Sequence, residues 1–553
     1  MRQAPDRSPA RAYALLLLFA AAAAAALWWA TPAGIGVSND TVQYIDCAEN
    51  LAEGKGYTTS LHNYYHPAPL SEYILRWRTT GAVDLPLRPE IQFPPLYPAL
   101  LAALGRLGWK SYAAARGLGI IFFAFNIFWT GFLVFRFTRR SFPAAWAGAI
   151  LMAAAEGMLD VHSAGYSEPL FIALSLVGLT ILSKHFETGR VRPLLFGAAV
   201  IGLSYGAKYT GGMLIVSCVI GLLLFGRGRP ARRARDAAVF LTAAGFLPGV
   251  LMLRNLLVGG DAANRIFGFR AVSGPFLAGV WRTLTSWAAP GAARIPFTVA
   301  AGVLPACIAA AIAAVLAAAA IGEVRNRRSG SLLASPGTKP SGPPILFLLY
   351  PPVYVLLFFA AASWLDEKLI PDVRLFAPIF PIAVIGSIHL LNRAVGRLGP
   401  GWRRSGALIL TAAYIGGYAL AGLVGLRTIR SGRGYAGEFW RRADIASAVE
   451  EVRAHPGFLI FTNDDTALRY FTGRSAYFTP FALFLRPDPA VRADLEGVPA
   501  LFVYWKSAAH ARAERKYSDG EQAEIQRAAA RALNLRLVLD GPDAAVLETG
   551  SRR

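Results

Sequence analysis

Five side chains in this 553-residue sequence have types and positions suited to chemistry. Asp40 follows the first long apolar run, and Glu168 opens the apolar stretch in GYSEPLF. Lys208 interrupts two short apolar runs in GAKYTGG, and Arg254 stands beside Asn255 in LMLRNLLVGG. Arg374 lies in WLDEKLIPDVRLFAPIFP, with Asp366, Glu367 and Lys368 shortly before it. A carboxylate within hydrogen-bond reach of a hydroxyl can take its proton as a bond forms. Cations fixed in advance stabilise charge that develops on a phosphate. Two carboxylates and three cations together suit a ligand that is both phosphorylated and rich in hydroxyls. Each residue also has a plainer reading. A Lys or Arg near a helix end commonly snorkels to the interface. A carboxylate opening a helix is favoured by the macrodipole, and Arg374 stands close enough to Asp372 in sequence for a loop ion pair. Their gathering at one face is what favours chemistry.

Asp40 lies in SNDTVQYIDCAENLAEGKGY, a stretch that carries four carboxylates. With Asp40 at 0° and about 100° per residue, Asp46, Glu49, Asn50 and Glu53 fall between about 180° and 280°. Tyr44, Ile45, Cys47, Ala48, Leu51 and Ala52 fall on the other side, with Asp40 among them. The pattern predicts an amphipathic helix at the membrane interface whose acidic stripe faces water, ended by Gly54 and Gly56. Asp40 is the carboxylate outside that stripe, and a carboxylate on an apolar face needs a partner or a purpose. Capping the helix is the plain alternative, a role that Ser38 or Asn39 could equally fill.

The elements that position these residues are membrane spans. Only 16% of the chain is charged, against about 25% for an ordinary soluble protein. Apolar runs fall at 13–30, 117–135, 142–158, 168–183, 193–207, 209–226, 237–258, 297–321, 345–364, 375–391 and 406–426. That predicts about eleven transmembrane helices, each run taken as long enough to cross a ~30 Å hydrocarbon core. The net charge of +22 does not point to nucleic acid, because Lys and Arg cluster in short loops between the runs. Segments 1–12, 136–141, 184–192, 227–236, 322–344 and 392–405 together hold 22 basic and four acidic residues. Segment 31–112 holds six basic and seven acidic residues. The positive-inside rule therefore predicts a cytoplasmic N-terminus and an outer C-terminal segment. All five chemically suited residues then lie at outer span ends. The first run is read as a retained anchor, although the small residues of WWATPAG would also suit cleavage of a signal peptide.

From about residue 427 the chain changes character. A helical pattern at FWRRADIASAVEEVRAHP precedes the β-type runs FLIFT, ALFVYW and LRLVLD. This predicts a small outer α/β domain over 427–553, beside a membrane domain over 1–426 that includes an outer loop at 31–116. Residues 329–344 read as a flexible linker. Cys47, Cys218 and Cys307 form no pair with redox or metal-ligand spacing. His62 and His66 stand at i, i+4 and are the candidate metal ligands, but Pro67 and the Tyr64–Tyr65 pair point to a loop.

In this order the motifs resemble the GT-C superfamily of membrane glycosyltransferases, whose members include protein O-mannosyltransferases and the bacterial lipid A aminoarabinose transferases. NDTVQYIDCAENLAEGKGY is similar to the family's first outer loop, and FPPLYPALLAAL to the Pro-Pro stretch before the next span. GYSEPLFIAL, GAKYTGG, LRNLLVGG and VRLFAPIFP resemble its later acidic, lysine, Arg-Asn and Arg-aromatic-Pro segments. The resemblance covers the whole chain. It implies a polytopic α-helical fold with juxtamembrane helices in the first outer loop and a C-terminal α/β soluble domain.

It further implies an inverting transfer from a polyprenyl-phosphate sugar donor, in a bacterial inner membrane, to a glycan, lipid or protein acceptor. Asp40 would be the general base. Lys208 and Arg374, with Arg254 as a weaker candidate, would hold the donor phosphate. Glu168 would orient the acceptor or Asp40. A divalent metal is left open, and Thr41, where several members carry a second acidic residue, argues against a two-carboxylate site. Two alternatives share parts of this pattern. A lipid or glycan transporter or flippase would place ionisable groups near the bilayer midplane. An oligosaccharide ligase would transfer a preassembled glycan.

Overall fold

The computed structural model describes residues 9–61, 70–259, 261–262, 268–269, 271–288, 345–364, 373–397, 401–478, 494–506, 530–531 and 533–549. The chain forms two compact units. The first comprises residues 1–32, 91–97 and 113–430; the second comprises 33–90, 98–112 and 431–553.

The first unit is helical. Among the described residues, seven helices are long and apolar enough to span a membrane: Pro9–Ala30, Ser111–Phe137, Glu168–Thr188, Pro230–Gly259, Ile345–Trp364, Val373–Val395 and Ser405–Arg430. Helices Phe142–Ala154 and Glu156–Ser163 add an eighth if counted as one span, bent by 56°. The bend falls at Ala155, whose extended backbone (φ −64°, ψ 130°) leaves the helical region. Val191–Ala207 and Gly211–Phe225 are shorter apolar helices of 17 and 15 residues. Ten of the eleven expected runs thus lie on apolar helices, and the run 297–321 lies outside the described residues. The count by length and apolarity is seven rather than eleven because two runs are short, one is broken and one lies outside the described residues. The protein is an integral membrane protein.

Close helix contact rests on small residues, as expected where lipid gives no hydrophobic drive between helices. A methyl group at Gly178 would meet Ile201 Cγ1 at 2.6 Å, and one at Gly202 would meet the Ala244 carbonyl oxygen at 2.7 Å. These glycines bring Val191–Ala207 against Glu168–Thr188 on one side and Pro230–Gly259 on the other. The packing holds the helix that leads into Lys208.

The second unit joins the first loop to the C-terminal segment. Helix Asn39–Ala52 is followed by β1 (Thr58–Thr59), which pairs antiparallel with β2 (Arg88–Pro89). Five more strands are β3 (Leu459–Thr462), β4 (Tyr477–Phe478), β5 (Ala500–Trp505), β6 (Leu535–Asp540) and β7 (Ala544–Thr549). They form one sheet in the order β4-β3-β5-β7-β6. β3 runs parallel to β4 and β5, while β7 runs antiparallel to β5 and β6. Leu459, Phe461, Phe502, Tyr504 and Leu547 form the core of this unit with Tyr73 and Ile74. The last two come from helix Leu70–Thr80 of the first loop, so one hydrophobic core is built from segments far apart in sequence.

The predicted runs FLIFT, ALFVYW and LRLVLD fall on β3, β5 and β6. The helical pattern divides at Arg442, with a 3-10 turn at Glu438–Arg441 and an α-helix at Ala443–Ala454.

Candidate functional site

In the first unit Glu168 is the opening residue of helix Glu168–Thr188, with Pro169 behind it fixing the first turn. The side chain is buried, at 1% exposure. An isolated carboxylate there would carry a large desolvation cost, and two cations answer it. The Lys208 ammonium donates to Glu168 Oε1, and Arg374 Nε lies 3.5 Å from the same oxygen. Lys208 reaches it because the chain leaves the helix there. Val191–Ala207 ends with Lys208 in extended backbone, its N–H bonded to the Ser204 carbonyl, and the next helix begins at Gly211. Arg374 comes from the short helix Val373–Phe376, and its guanidinium lies over the Tyr166 ring, 4.7 Å from the centroid. Such stacking fixes a guanidinium plane in a way that a lysine could not reproduce.

Two of the five expected residues therefore converge on one carboxylate oxygen of a third. The cluster sets two cations against one buried carboxylate. Arg254 is placed differently. It donates to Asn255 Oδ1 at 3.0 Å, and Asn255 Nδ2 donates to Tyr209 Oη at 3.2 Å. Tyr209, the neighbour of Lys208, donates in turn to the Ile91 carbonyl at 3.0 Å. Arg254 is thus linked to the Lys208 turn through a chain of hydrogen bonds.

Asp40 belongs to the second unit, in the first turn of Asn39–Ala52, and is half-buried. It does not cap the helix. Ser38 does, in a capping box with Thr41: the Thr41 N–H donates to Ser38 Oγ at 3.3 Å, and the Ser38 N–H donates to Thr41 Oγ1 at 3.2 Å. The capping explanation for Asp40 is therefore excluded.

The expected water-facing stripe is corrected in part: Glu53 is exposed, but the rest of the stripe is largely covered. Asp46 is 1% exposed, and Asn50 is buried as well. Asp46 accepts from Thr59 Oγ1 at 2.8 Å, from the Ser60 N–H at 2.7 Å and from Ser60 Oγ at 2.7 Å. It also pairs with Arg469 at 3.1 Å. Glu49 lies 3.6 Å from the same arginine and accepts from Ser111 Oγ at 3.0 Å. Burial raises the Glu49 carboxyl above its usual range, against the opposing pull of Ser111 and Arg469. On the neighbouring face Gln43 Nε2 donates to Thr59 Oγ1 at 2.9 Å and to the buried Glu90 at 2.5 Å. A helical wheel gives directions only. It could not show that residues 58–60 and 469 cover the polar side.

Sequence reasoning missed Arg469, Tyr435 and Asp464. Only Asp464 carried a local signal. In NDDTALRYFT it caps helix Asp465–Thr472, accepting from the Ala467 N–H at 2.8 Å. His62, His66, Asp366, Glu367 and Lys368 lie outside the described residues. Among the described residues no group of three or more His, Cys, Asp or Glu side chains is arranged to hold a metal ion.

No family model matches the sequence, and no curated protein matches it. Solved structures do. ArnT from Cupriavidus metallidurans bound to undecaprenyl phosphate aligns over 98% of this chain and 98% of its own, with TM-score 0.54 and 13% identity. Its apo form aligns over 97% and 98%, with TM-score 0.56 and 13% identity. The arabinofuranosyltransferase AftD from Mycobacteria aligns over 98% of this chain and 42% of its own, with TM-score 0.52 and 13% identity. The chain shares the overall fold of these solved structures, with a small C-terminal sheet region.

Proposed function

We propose that this GT-C-fold chain is an inverting glycosyltransferase that moves a sugar from a polyprenyl-phosphate donor to an acceptor hydroxyl at the outer membrane–water interface. The observation that carries the reading is the convergence of Lys208 and Arg374 on buried Glu168. Cations held in place before a ligand arrives can stabilise a phosphate without reorganising. The solved neighbour bound to undecaprenyl phosphate supports the same ligand class.

In this reading Asp40 takes the proton of the acceptor hydroxyl as that oxygen attacks C1 of the sugar. The C1–oxygen bond to the phosphate breaks, and its electron pair leaves with the polyprenyl phosphate. A single displacement of this kind inverts the anomeric centre. Lys208 and Arg374 stabilise the charge that develops on the departing phosphate, and Arg254 holds Asn255 and Tyr209 behind the Lys208 turn. Glu168 orients the two cations. The distribution of basic loops supports a cytoplasmic N-terminus and an outer C-terminal segment, in keeping with a bacterial inner membrane enzyme acting on an envelope glycan, lipid or protein.

The test uses the full chain in nanodiscs with radiolabelled undecaprenyl-phosphate sugars and an acceptor extract from cell envelopes. Transfer of label with inversion, lost at least 100-fold in Asp40→Asn, is expected. Undiminished transfer by correctly folded Asp40→Asn would remove the assigned base. Absence of transfer from every polyprenyl-phosphate sugar, with lipid translocation observed instead, would replace the enzyme by a flippase.

A further inference from the structure

We propose that Tyr435 is a positioning residue for Asp40: its hydroxyl, with the glycine loop that carries it, fixes the first turn of helix Asn39–Ala52 and so the direction of the Asp40 carboxylate. The proposal rests on the reading of Asp40 as the base, and its test separates the two.

Helix first turns are the part of a helix with the fewest internal bonds, since their N–H groups have no partner one turn earlier. Here that turn is held from outside. Tyr435 Oη lies 2.5 Å from Asn39 Oδ1, the side chain directly before Asp40. The same hydroxyl lies 2.9 Å from each oxygen of Asp464 and 2.8 Å from Thr466 Oγ1. Those partners are themselves fixed. Asp464 caps helix Asp465–Thr472 and accepts from Thr466 Oγ1 at 2.7 Å, and its N–H donates to Thr462 Oγ1 at 3.2 Å. The Tyr435 ring is locked edge-on to Trp440, with centroids 5.1 Å apart, and stacks on Tyr470 at 6.1 Å. The phenol is 6% exposed. Burial, with the Asp464 carboxylate beside it, holds it well above its ordinary range, so it stays protonated and serves as a donor.

The backbone holds the same place. The Val37 N–H donates to the Arg433 carbonyl at 3.2 Å, and the Tyr435 N–H donates to the Val37 carbonyl at 2.8 Å. The two bonds lay the strand-like residues before Ser38 against the loop SGRGYAG. Backbone bonds thus hold Val37, a rigid phenol meets the exposed Asn39 side chain, and Asp40 is the next residue. A general base works only within a narrow range of distance and angle. A loosened first turn should therefore slow the chemical step while leaving donor binding intact.

The experiment compares wild type, Tyr435→Phe, Asp40→Asn and the double variant, all as full chains in nanodiscs. The donor is the undecaprenyl-phosphate sugar that supports transfer. Tyr435→Phe should lower kcat about tenfold, with donor KM changed less than twofold. In the Asp40→Asn background the same substitution should change the residual rate less than twofold. Without any substrate, amides 41–45 should exchange deuterium several-fold faster in Tyr435→Phe. Unchanged exchange, or the same tenfold rate loss in both backgrounds, would overturn the positioning role. Full activity of Asp40→Asn would overturn the base assignment instead, and the exchange measurement, which needs no turnover, tells the two failures apart.

Discussion

Arg469 and Asp46 form a buried ion pair at 3.1 Å. One residue lies on the capped helix Asp465–Thr472, and the other lies in the middle of Asn39–Ala52. The Asp46 side chain has no exposed surface, while that of Arg469 is 22% exposed. A charge so deeply placed must be neutralised by its surroundings. Three hydrogen bonds from Thr59 and Ser60 share the task with the guanidinium. The helix that carries Asp40 is therefore fastened along its length. Tyr435 holds its first turn and Arg469 its middle, and Arg106 donates to the carbonyl of Leu51, near its end, at 3.1 Å.

Arg469→Ala should destabilise the second unit by about 3 kcal/mol, the lower end of the cost of breaking a buried pair. The lower end applies because Asp46 keeps its three hydrogen bonds. Arg469→Lys should recover part of the loss. Hydrogen exchange over residues 41–61 in the intact protein measures it, and unchanged protection would show that the pair carries no stability.

Lys208→Ala should lower kcat/KM for the donor roughly 10- to 100-fold, corresponding to the ~1.5–3 kcal/mol of a hydrogen bond to a charged group. Because Lys208 and Glu168 are in direct contact, their effects should not multiply. In Lys208→Ala/Glu168→Gln the loss should fall short of the product of the two single losses by at least about fivefold, a coupling of ~1 kcal/mol. Fully multiplicative losses would mean that the two residues serve separate steps. Arg374→Lys should also lose affinity, because an ammonium cannot reproduce the planar stacking on Tyr166.

Span order puts Glu168, Lys208 and Arg374 each where an apolar run begins or ends, but their direct pairing was not legible, since Glu168 was expected beside the acceptor or Asp40. Membrane chains make such places visible, since polar residues are costly elsewhere. Strands β3, β5 and β6 were legible from runs of β-branched and aromatic residues. β7 was not. It begins AAV and ends LET, a weak local pattern, yet it pairs with both β5 and β6 and draws its stability from them. The burial of Asp46 was illegible for a related reason. Its partners are a turn some residues onward and an arginine in the C-terminal segment, and no periodicity links them.

Gly434→Ala should be among the most damaging small substitutions in the second unit. The residue has φ +58°, and a methyl group there would lie 1.8 Å from the Val37 carbonyl oxygen. The left-handed backbone alone costs about 1 kcal/mol. The clash adds to it, because the obstacle is backbone that is hydrogen-bonded to Tyr435. A loss above about 2 kcal/mol is expected, with faster exchange at residues 37–42. Gly457→Ala is the control, since its added methyl group meets nothing within 4 Å, and it should change stability by less than ~1 kcal/mol. Equal behaviour of the two variants would disprove the close approach of Gly434 to Val37.

Asp465 gives the second unit a pH dependence of definite sign. Its carboxyl is buried, and burial, followed by the nearby Asp464 and Asp46 charges, pushes it up to about 7 against the opposing pull of backbone hydrogen bonds. An unfolded chain would release that proton near the ordinary carboxylate value of about 3.9. Between those values the folded protein keeps a proton that the unfolded chain has lost. The stabilisation from this group is complete below about pH 4 and is lost as pH rises through about 7. At 1.36 kcal/mol per pKa unit, the span sets a ceiling of roughly 4 kcal/mol. Exchange at residues 459–472 should therefore be slower at pH 5.5 than at pH 8, once corrected for intrinsic chemistry. Asp465→Asn keeps the shape and removes the titration, so it should flatten that difference and leave the unit more stable than wild type at pH 8. A pH dependence of the same size in Asp465→Asn would assign the effect to another group.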